Sequence, residues 1–238
     1  MRIRIPLRRS LLVLAFFLFA LIALLPMRLA LGGLGFDRSG LTARAATGSI
    51  WLGALQEAQI GPLALGDVKA RLNLLPLLLG RARLSIASAD EDAPLEGAAV
   101  LTRHSLTFED VTGRFRLNGL ASPVALSALD LDDVSAGFSG GRCTQAEGRV
   151  RAAVRGELGG VALAAALSGN ARCANDALLI PLASQSGMEQ LNIRLFPNGR
   201  YRLDLLVRPS DPAVAARLSG AGFRATPGGH LLQVSGTF

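Results

Sequence analysis

The 238-residue chain is predicted to be mainly β: a single amino-terminal transmembrane helix, then a bent and twisted antiparallel sheet with one or two short helices. Three observations carry this expectation. Beyond residue 31, apolar and polar residues alternate at period 2 more often than apolar residues recur at helical spacing. All 27 glycines fall after residue 31, about one residue in eight there, which suits turns, bulges and bends better than long helices. Residues 11–25 contain no polar side chain and are preceded by Arg2, Arg4, Arg8 and Arg9.

Fifteen apolar residues fall short of the ~20 needed to cross a hydrocarbon core. Pro26, Met27, Leu29, Ala30 and Leu31 extend the run to about 21 with one interruption, Arg28, which lies close enough to the end to snorkel to the interface. Four leading arginines, with no basic residue between 10 and 27, predict a cytoplasmic amino terminus and an exported remainder. A cleaved signal peptide would need a small-x-small site just after the run. Pro26-Met27-Arg28-Leu29 stands there instead, and Ala43-Arg44-Ala45 comes about 18 residues too late. A soluble core helix would need a polar face, which the run lacks. The expected organisation is a basic cytoplasmic tail over 1–9, a transmembrane anchor over 10–31 that meets the bilayer through 11–31, a linker over 32–46 and an exported β-rich domain over 47–238. A break between two sub-sheets is expected near 119–128.

The formal charge of +7 is concentrated in the flank of the apolar run. From residue 32 onward there are 20 basic and 18 acidic residues, and no basic block is interleaved with aromatics, so nothing points to nucleic acid. Cys143 and Cys173 are the only cysteines. In an oxidising compartment they are expected to form a disulfide, the alternative being two buried thiols.

Within the exported part, residues 63–72, 106–115 and 129–138 share a pattern. Apolar residues keep one parity up to Asp67, Asp110 or Asp133 and switch parity at Val68, Val111 or Val134. A one-residue slip moves side chains to the other face, so the switch predicts an inserted residue, a bulge or tight bend, at each Asp. The alternative is coincidence within a short consensus. Further on, Leu191, Ile193 and Leu195 alternate before Pro197-Asn198-Gly199, and Tyr201, Leu203, Leu205 and Val207 alternate after it. A three-residue loop pairs Leu195 with Tyr201 and Ile193 with Leu203, whereas a two-residue turn would mix the faces. Arg194, Arg202, Asp204 and Arg208 then share the other face and read as solvated. A short helix is predicted from Pro212 to Gly220, capped by Ser210 or Asp211, with Val214 and Leu218 at i, i+4 spacing. Residues 74–79 before Gly80 are the second short-helix candidate; they are very apolar and interrupted by Pro76, so the alternative is a buried turn. Residues 87–94 read as an exposed acidic loop.

A catalytic site needs convergent titratable groups, and few are available. His104 and His230 both occupy turn-like positions and read as solvated. No zinc signature, phosphate loop, nucleophile elbow or calcium loop is present. Asp132-Asp133 and Glu109-Asp110 are adjacent, and neighbours on a strand point to opposite faces. No catalytic residue, cofactor or metal is expected.

Gly48-Ser49-Ile50-Trp51-Leu52-Gly53 has the form Gly-x-x-Trp-x-Gly, and Leu74-Leu75-Pro76-Leu77-Leu78-Leu79-Gly80 follows it. Behind a short single-pass anchor, this order resembles the type II secretion system protein N family. The paired cysteines, the apolar strand at 178–182, Gly199-Arg200-Tyr201 and Gly222-Phe223 are also similar, so the resemblance covers most of the chain. The motif positions are Gly48, Trp51, Gly53, Pro76, Gly80, Gly199, Tyr201, Gly222 and Phe223. Arg71 stands where an aromatic residue is expected. The resemblance implies a non-enzymatic, bitopic inner-membrane protein of a Gram-negative cell, with its carboxy-terminal domain in the periplasm. It would act as a scaffold or assembly subunit supporting export of folded proteins across the outer membrane, with other inner-membrane subunits as partners. The alternative is a membrane-anchored lipid-binding or lipid-transfer protein with an AsmA-like apolar β groove. A periplasmic hydrolase is disfavoured by the missing site.

Overall fold

Turns that return the chain beside the strand it has just left convert the period-2 alternation into one antiparallel sheet. The computed structural model describes residues 41–60, 63–88, 94–117, 126–154, 156–158 and 160–237, together with 12–14, 16, 17, 20, 24 and 26. Most of the expected anchor lies outside the described residues. Among the described residues, 12–14, 16, 17 and 20 are helical, and no helix is long and apolar enough to cross a membrane.

The strands are β1 (Leu41–Thr42), β2 (Ala45–Gly48), β3 (Gly53–Ile60), β4 (Leu63–Asn73), β5 (Ala82–Ser88), β6 (Leu95–Leu101), β7 (Ser105–Leu117), β8 (Leu126–Ser139) and β9 (Arg142–Val154). They continue as β10 (Glu157–Leu158), β11 (Val161–Ala162), β12 (Ala166–Asn170), β13 (Arg172–Ala174), β14 (Ala177–Ala183), β15 (Glu189–Leu195), β16 (Arg200–Val207), β17 (Arg224–Thr226) and β18 (Gly229–Thr237). Two short helices interrupt them, α1 (Leu74–Leu78) and α2 (Pro212–Gly220). Sixteen strands form one sheet along the path β1-β3-β4-β5-β6-β7-β8-β9-β12-β14-β15-β16-β18-β17, with β2 on β3 and β13 on β14; β10 and β11 form a separate hairpin. β1 and the first two residues of β2 lie inside the stretch that reads as a linker. The expected sub-sheet break falls mainly on 118–125, outside the described residues, and β7 and β8 on either side of it pair with each other.

The amino-terminal half curls because β4 is longer than the hairpin beside it. Val68 to Asn73 pair with β5, but Leu63 and Ala64 run past the end of β5 and pair with Leu117 and Arg116 of β7. The β5–β6 hairpin is thereby inserted between two strands that meet beyond it.

A crease crosses the sheet where the parity switches predict one. Asp110 and Asp133 have φ of 52° and 53°, and the register shifts between Phe108 and Val111 and between Asp132 and Ser135. The freed amides find side chains, Asp110 N–H donating to Ser135 Oγ at 3.0 Å and Asp133 N–H to Thr112 Oγ1 at 3.0 Å. Each extra residue lets both parities of its strand reach one face, so Leu129 and Leu131 before the bulge pack with Val134 and Ala136 after it. At the first copy the bulge is differently built. The left-handed residues are Glu57 of β3 (φ 48°) and Gly66 (φ 73°), while Asp67 accepts the Glu57 amide at Oδ1, 2.8 Å. Asp67 braces the bend without being the inserted residue.

The core is uneven. The larger cluster spans β7 to β18 and is capped by Leu218 of α2 and by Leu158 and Val161 of the β10–β11 hairpin. The smaller one contains Leu55, Ala58, Val68 and Ala70. α2 forms as its sequence specifies: Asp211 Oδ1 accepts the Ala213 amide at 2.8 Å, Pro212 takes the first position, and Gly222 (φ 92°) follows the C-cap. Phe223 N–H returns to Leu218 O at 3.1 Å, and both side chains are buried. Leu218→Ala is expected to cost about 3 kcal/mol, because it removes the only fully buried side chain of α2 over the sheet. Asp211→Ala should cost about 1 kcal/mol through loss of the cap. Urea unfolding midpoints would check both.

The β15–β16 hairpin has the register that parity requires. Leu195 faces Tyr201 and Ile193 faces Leu203 around a loop of Pro197, Asn198 and Gly199, with Gly199 at φ 79°. Its other face is less open than expected, since Asp204 is held by Arg194 and by Gln233 Nε2 at 2.6 Å.

Candidate functional site

Titratable groups do not converge. His104 is exposed in the β6–β7 turn. His230 is not in a turn but within β18, opposite Val207, with its Nδ1 buried and without a hydrogen-bond partner. The residue sits there because Gly229 at φ 132° starts the strand one position earlier than the Pro227-Gly228-Gly229 run suggests. The adjacent carboxylates have separate partners: Glu109 lies 2.7 Å from Arg83, Asp110 Oδ1 accepts from Ser135 Oγ at 3.5 Å, and Asp132 is 3.9 Å from Arg149. Asp130 takes bonds of 2.6 and 3.1 Å from Arg114, and this hydrogen bonding, then the charge of Asp130, raises the pKa of that guanidinium. Among the described residues no group of three His, Cys, Asp or Glu could hold a metal ion. Cys143 of β9 and Cys173 of β13 form a disulfide with their Cα atoms 5.5 Å apart.

The amino-terminal motif residues do gather. Gly48 and Gly53 face each other across the β2–β3 hairpin, whose turn is closed by Ser49 N–H to Leu52 O (3.0 Å) and Leu52 N–H to Ser49 O (3.2 Å), leaving Ile50 and Trp51 at its tip. Gly48 has φ 83°, and a Cβ there would lie 2.4 Å from Leu52 O, so no other residue closes this turn unstrained. Gly53 pairs with Ala70, three residues before β4 ends and α1 begins. The single turn of α1 is stopped by Gly80 (φ 74°), with Gly80 N–H on Leu77 O and Arg81 N–H on Pro76 O. Residues 74–78 therefore form the second short helix and not a buried turn. Leu75 and Leu79 are 79% and 80% exposed, because α1 projects beyond the ends of β4 and β5 where, among the described residues, no second layer covers it.

Beside the hairpin a groove of about 520 Å³ is lined by Gly48, Leu52, Ala54, Lys69, Arg71 and Ile86. The two motif glycines leave its floor low, and Arg71, where an aromatic residue is expected, supplies a cation to its rim. Another groove of about 530 Å³ opens at the crease among Asp132, Asp133, Glu147 and Arg149. The later motif residues are architectural: Gly199 and Tyr201 build the β15–β16 hairpin, and Gly222 and Phe223 terminate α2. What the motif reading missed are the arginines beside the exposed leucines, Arg81, Arg103 and Arg142. The signal for them is an absence, since residues 47–55, 71–83, 99–107 and 137–145 contain no Asp or Glu.

The family model for the type II secretion system (T2SS), protein N, matches residues 39–232, a span that includes nearly the whole sheet and all of the motif positions. No curated protein and no solved structure gives a significant match to the chain. Sheet, motif order and family match agree, and the chain belongs to the type II secretion system protein N family, as a component of that machinery that works with its other components.

Proposed function

We propose that the chain is a non-enzymatic scaffold or assembly subunit of the type II secretion system. In this reading residues 10–31 anchor it in the inner membrane with residues 1–9 in the cytoplasm, and the sheet lies in the periplasm, where it holds other inner-membrane subunits. The observation that carries the reading is the family match across residues 39–232. The anchor is supported by the exposed apolar side chains of Leu12, Val13, Leu14, Phe16 and Phe17, 57–72% accessible, which meet no protein layer that would make them core. Orientation is supported by the arginines that precede the run. The disulfide suits an oxidising compartment.

The test is genetic and biochemical. Cells lacking the chain should fail to secrete type II substrates, and the tagged chain should co-purify with inner-membrane subunits of the apparatus. Normal secretion of every substrate, with no subunit recovered, would overturn the proposal. A second reading, a lipid-binding protein, is favoured by the groove of about 520 Å³ with its apolar floor and its Lys69 and Arg71 rim. Phospholipid retained at a fixed ratio by the purified chain, and lost in Lys69→Glu/Arg71→Glu, would support it.

A further inference from the structure

Four turns meet at one end of the sheet. The β2–β3 turn lies beside the end of β4, and α1 follows from it. Ala82, at the start of β5, pairs with Leu101, at the end of β6; Ser105 pairs with Ser139; and Gly140 N–H reaches His104 O at 3.4 Å. The β6–β7 and β8–β9 turns therefore stand in the same row as α1.

This row has an unusual surface. Leu75 and Leu79 are almost fully exposed, and Leu52 and Leu101 are 61% and 53% exposed. Arg81, Arg103 and Arg142 stand exposed among them, and no acidic residue lies in any of the four segments. The row ends at the next turn, where Asp176 appears. One further contact sets the direction: Pro26, at the close of the apolar run, forms a bridge with Ser49 in the β2–β3 turn. The row is the part of the sheet held against the end of that run.

We infer that this end of the sheet rests on the phospholipid surface of the membrane, with Leu75 and Leu79 entering the acyl boundary and Arg81, Arg103 and Arg142 on anionic headgroups. The inference rests on the reading of residues 10–31 as an anchor. Leucines bury apolar surface at the interface while arginine stems lie along it and keep their charge among the phosphates. Near an anionic surface each arginine is worth about 1 kcal/mol, which is about a fivefold shift in the docked fraction. The Pro26–Ser49 bridge holds the end of the apolar run against the β2–β3 turn, so docking of this end costs little tethering entropy.

The test uses the full chain reconstituted in vesicles of phosphatidylethanolamine and phosphatidylglycerol. The two native cysteines are joined to each other, so a fluorophore can be placed on Leu75→Cys or, at the far end of β9, on Glu157→Cys. Brominated lipid should quench the label at Leu75 and leave that at Glu157 unquenched. Combining Leu75→Cys with Arg81→Glu, Arg103→Glu and Arg142→Glu should abolish that quenching. Equal, weak quenching at both sites, in a chain that carbonate does not strip from the vesicles, overturns the inference. Quenching at Leu75 that survives all three reversals overturns the role given to charge. Release of the chain by carbonate instead overturns the anchor, and the inference with it.

Discussion

Gly148→Ala should be among the most damaging single substitutions in the chain, at about 4 kcal/mol. Gly148 has φ 103°, and an added Cβ would lie 2.3 Å from Asp133 O and 2.4 Å from Val134 Cα, both backbone atoms of the neighbouring strand. Backbone strain of about 1–3 kcal/mol and overpacking of about 1–3 kcal/mol then act together, and neither can relax without undoing the crease. Gly66 supplies the control. It sits at the β3–β4 bulge with φ 73° but with nothing within 4 Å of a built Cβ, so Gly66→Ala should cost only about 1 kcal/mol. Chemical unfolding of the two variants in detergent would check the contrast. Equal costs would show that the close approach of β8 and β9 at Gly148 is not what holds the bend.

The second large effect is expected from the disulfide. Cys143 lies in β9 and Cys173 in β13, a three-residue strand paired only with β14, so the bond ties a short strand to the largest part of the core. Removing both cysteines by substitution with alanine releases a loop of about 31 residues in the unfolded chain, worth about 3.5 kcal/mol in the chain-entropy account. For a chain of this size that corresponds to a fall of about 10 °C in melting temperature. The native chain with reductant should melt where the double variant does, and reductant should not move the variant further. A midpoint that reductant leaves in place would show that the bond adds nothing to the folded sheet.

Much of the fold was legible in the sequence because it depends on short-range rules. The pairing of Leu195 with Tyr201 follows from parity and the order Pro197-Asn198-Gly199. The limits of α2 follow from Asp211, Pro212 and Gly220, and the bends at Asp110 and Asp133 from a switch in alternation. In each case the deciding residues lie within a few positions of one another. At Asp67 the same rule placed a bend correctly but not the inserted residue, since a bulge belongs to a strand pair and the sequence of one strand does not say which partner carries the extra residue. His230 was misread because a glycine run can end a turn one residue earlier than composition suggests. The candidate surface was half legible. Its motif, Gly48 to Gly53 and Pro76 to Gly80, stood out as a family pattern, whereas the arginines that share its surface come from segments as far as 62 residues beyond Gly80.

By itself, then, the sequence determined a β-rich chain behind an apolar run, its disulfide, its caps and hairpins, and its membership of the type II secretion system protein N family. Only the tertiary structure decided that residues 74–79 are exposed, that β4 closes on β7, and that four acid-free turns form one leucine- and arginine-bearing end beside Pro26. The reason is physical. Periodicity states which face of a strand is apolar, but exposure depends on whether a second layer covers that face, and coverage is settled by strand lengths and contacts far apart in the chain.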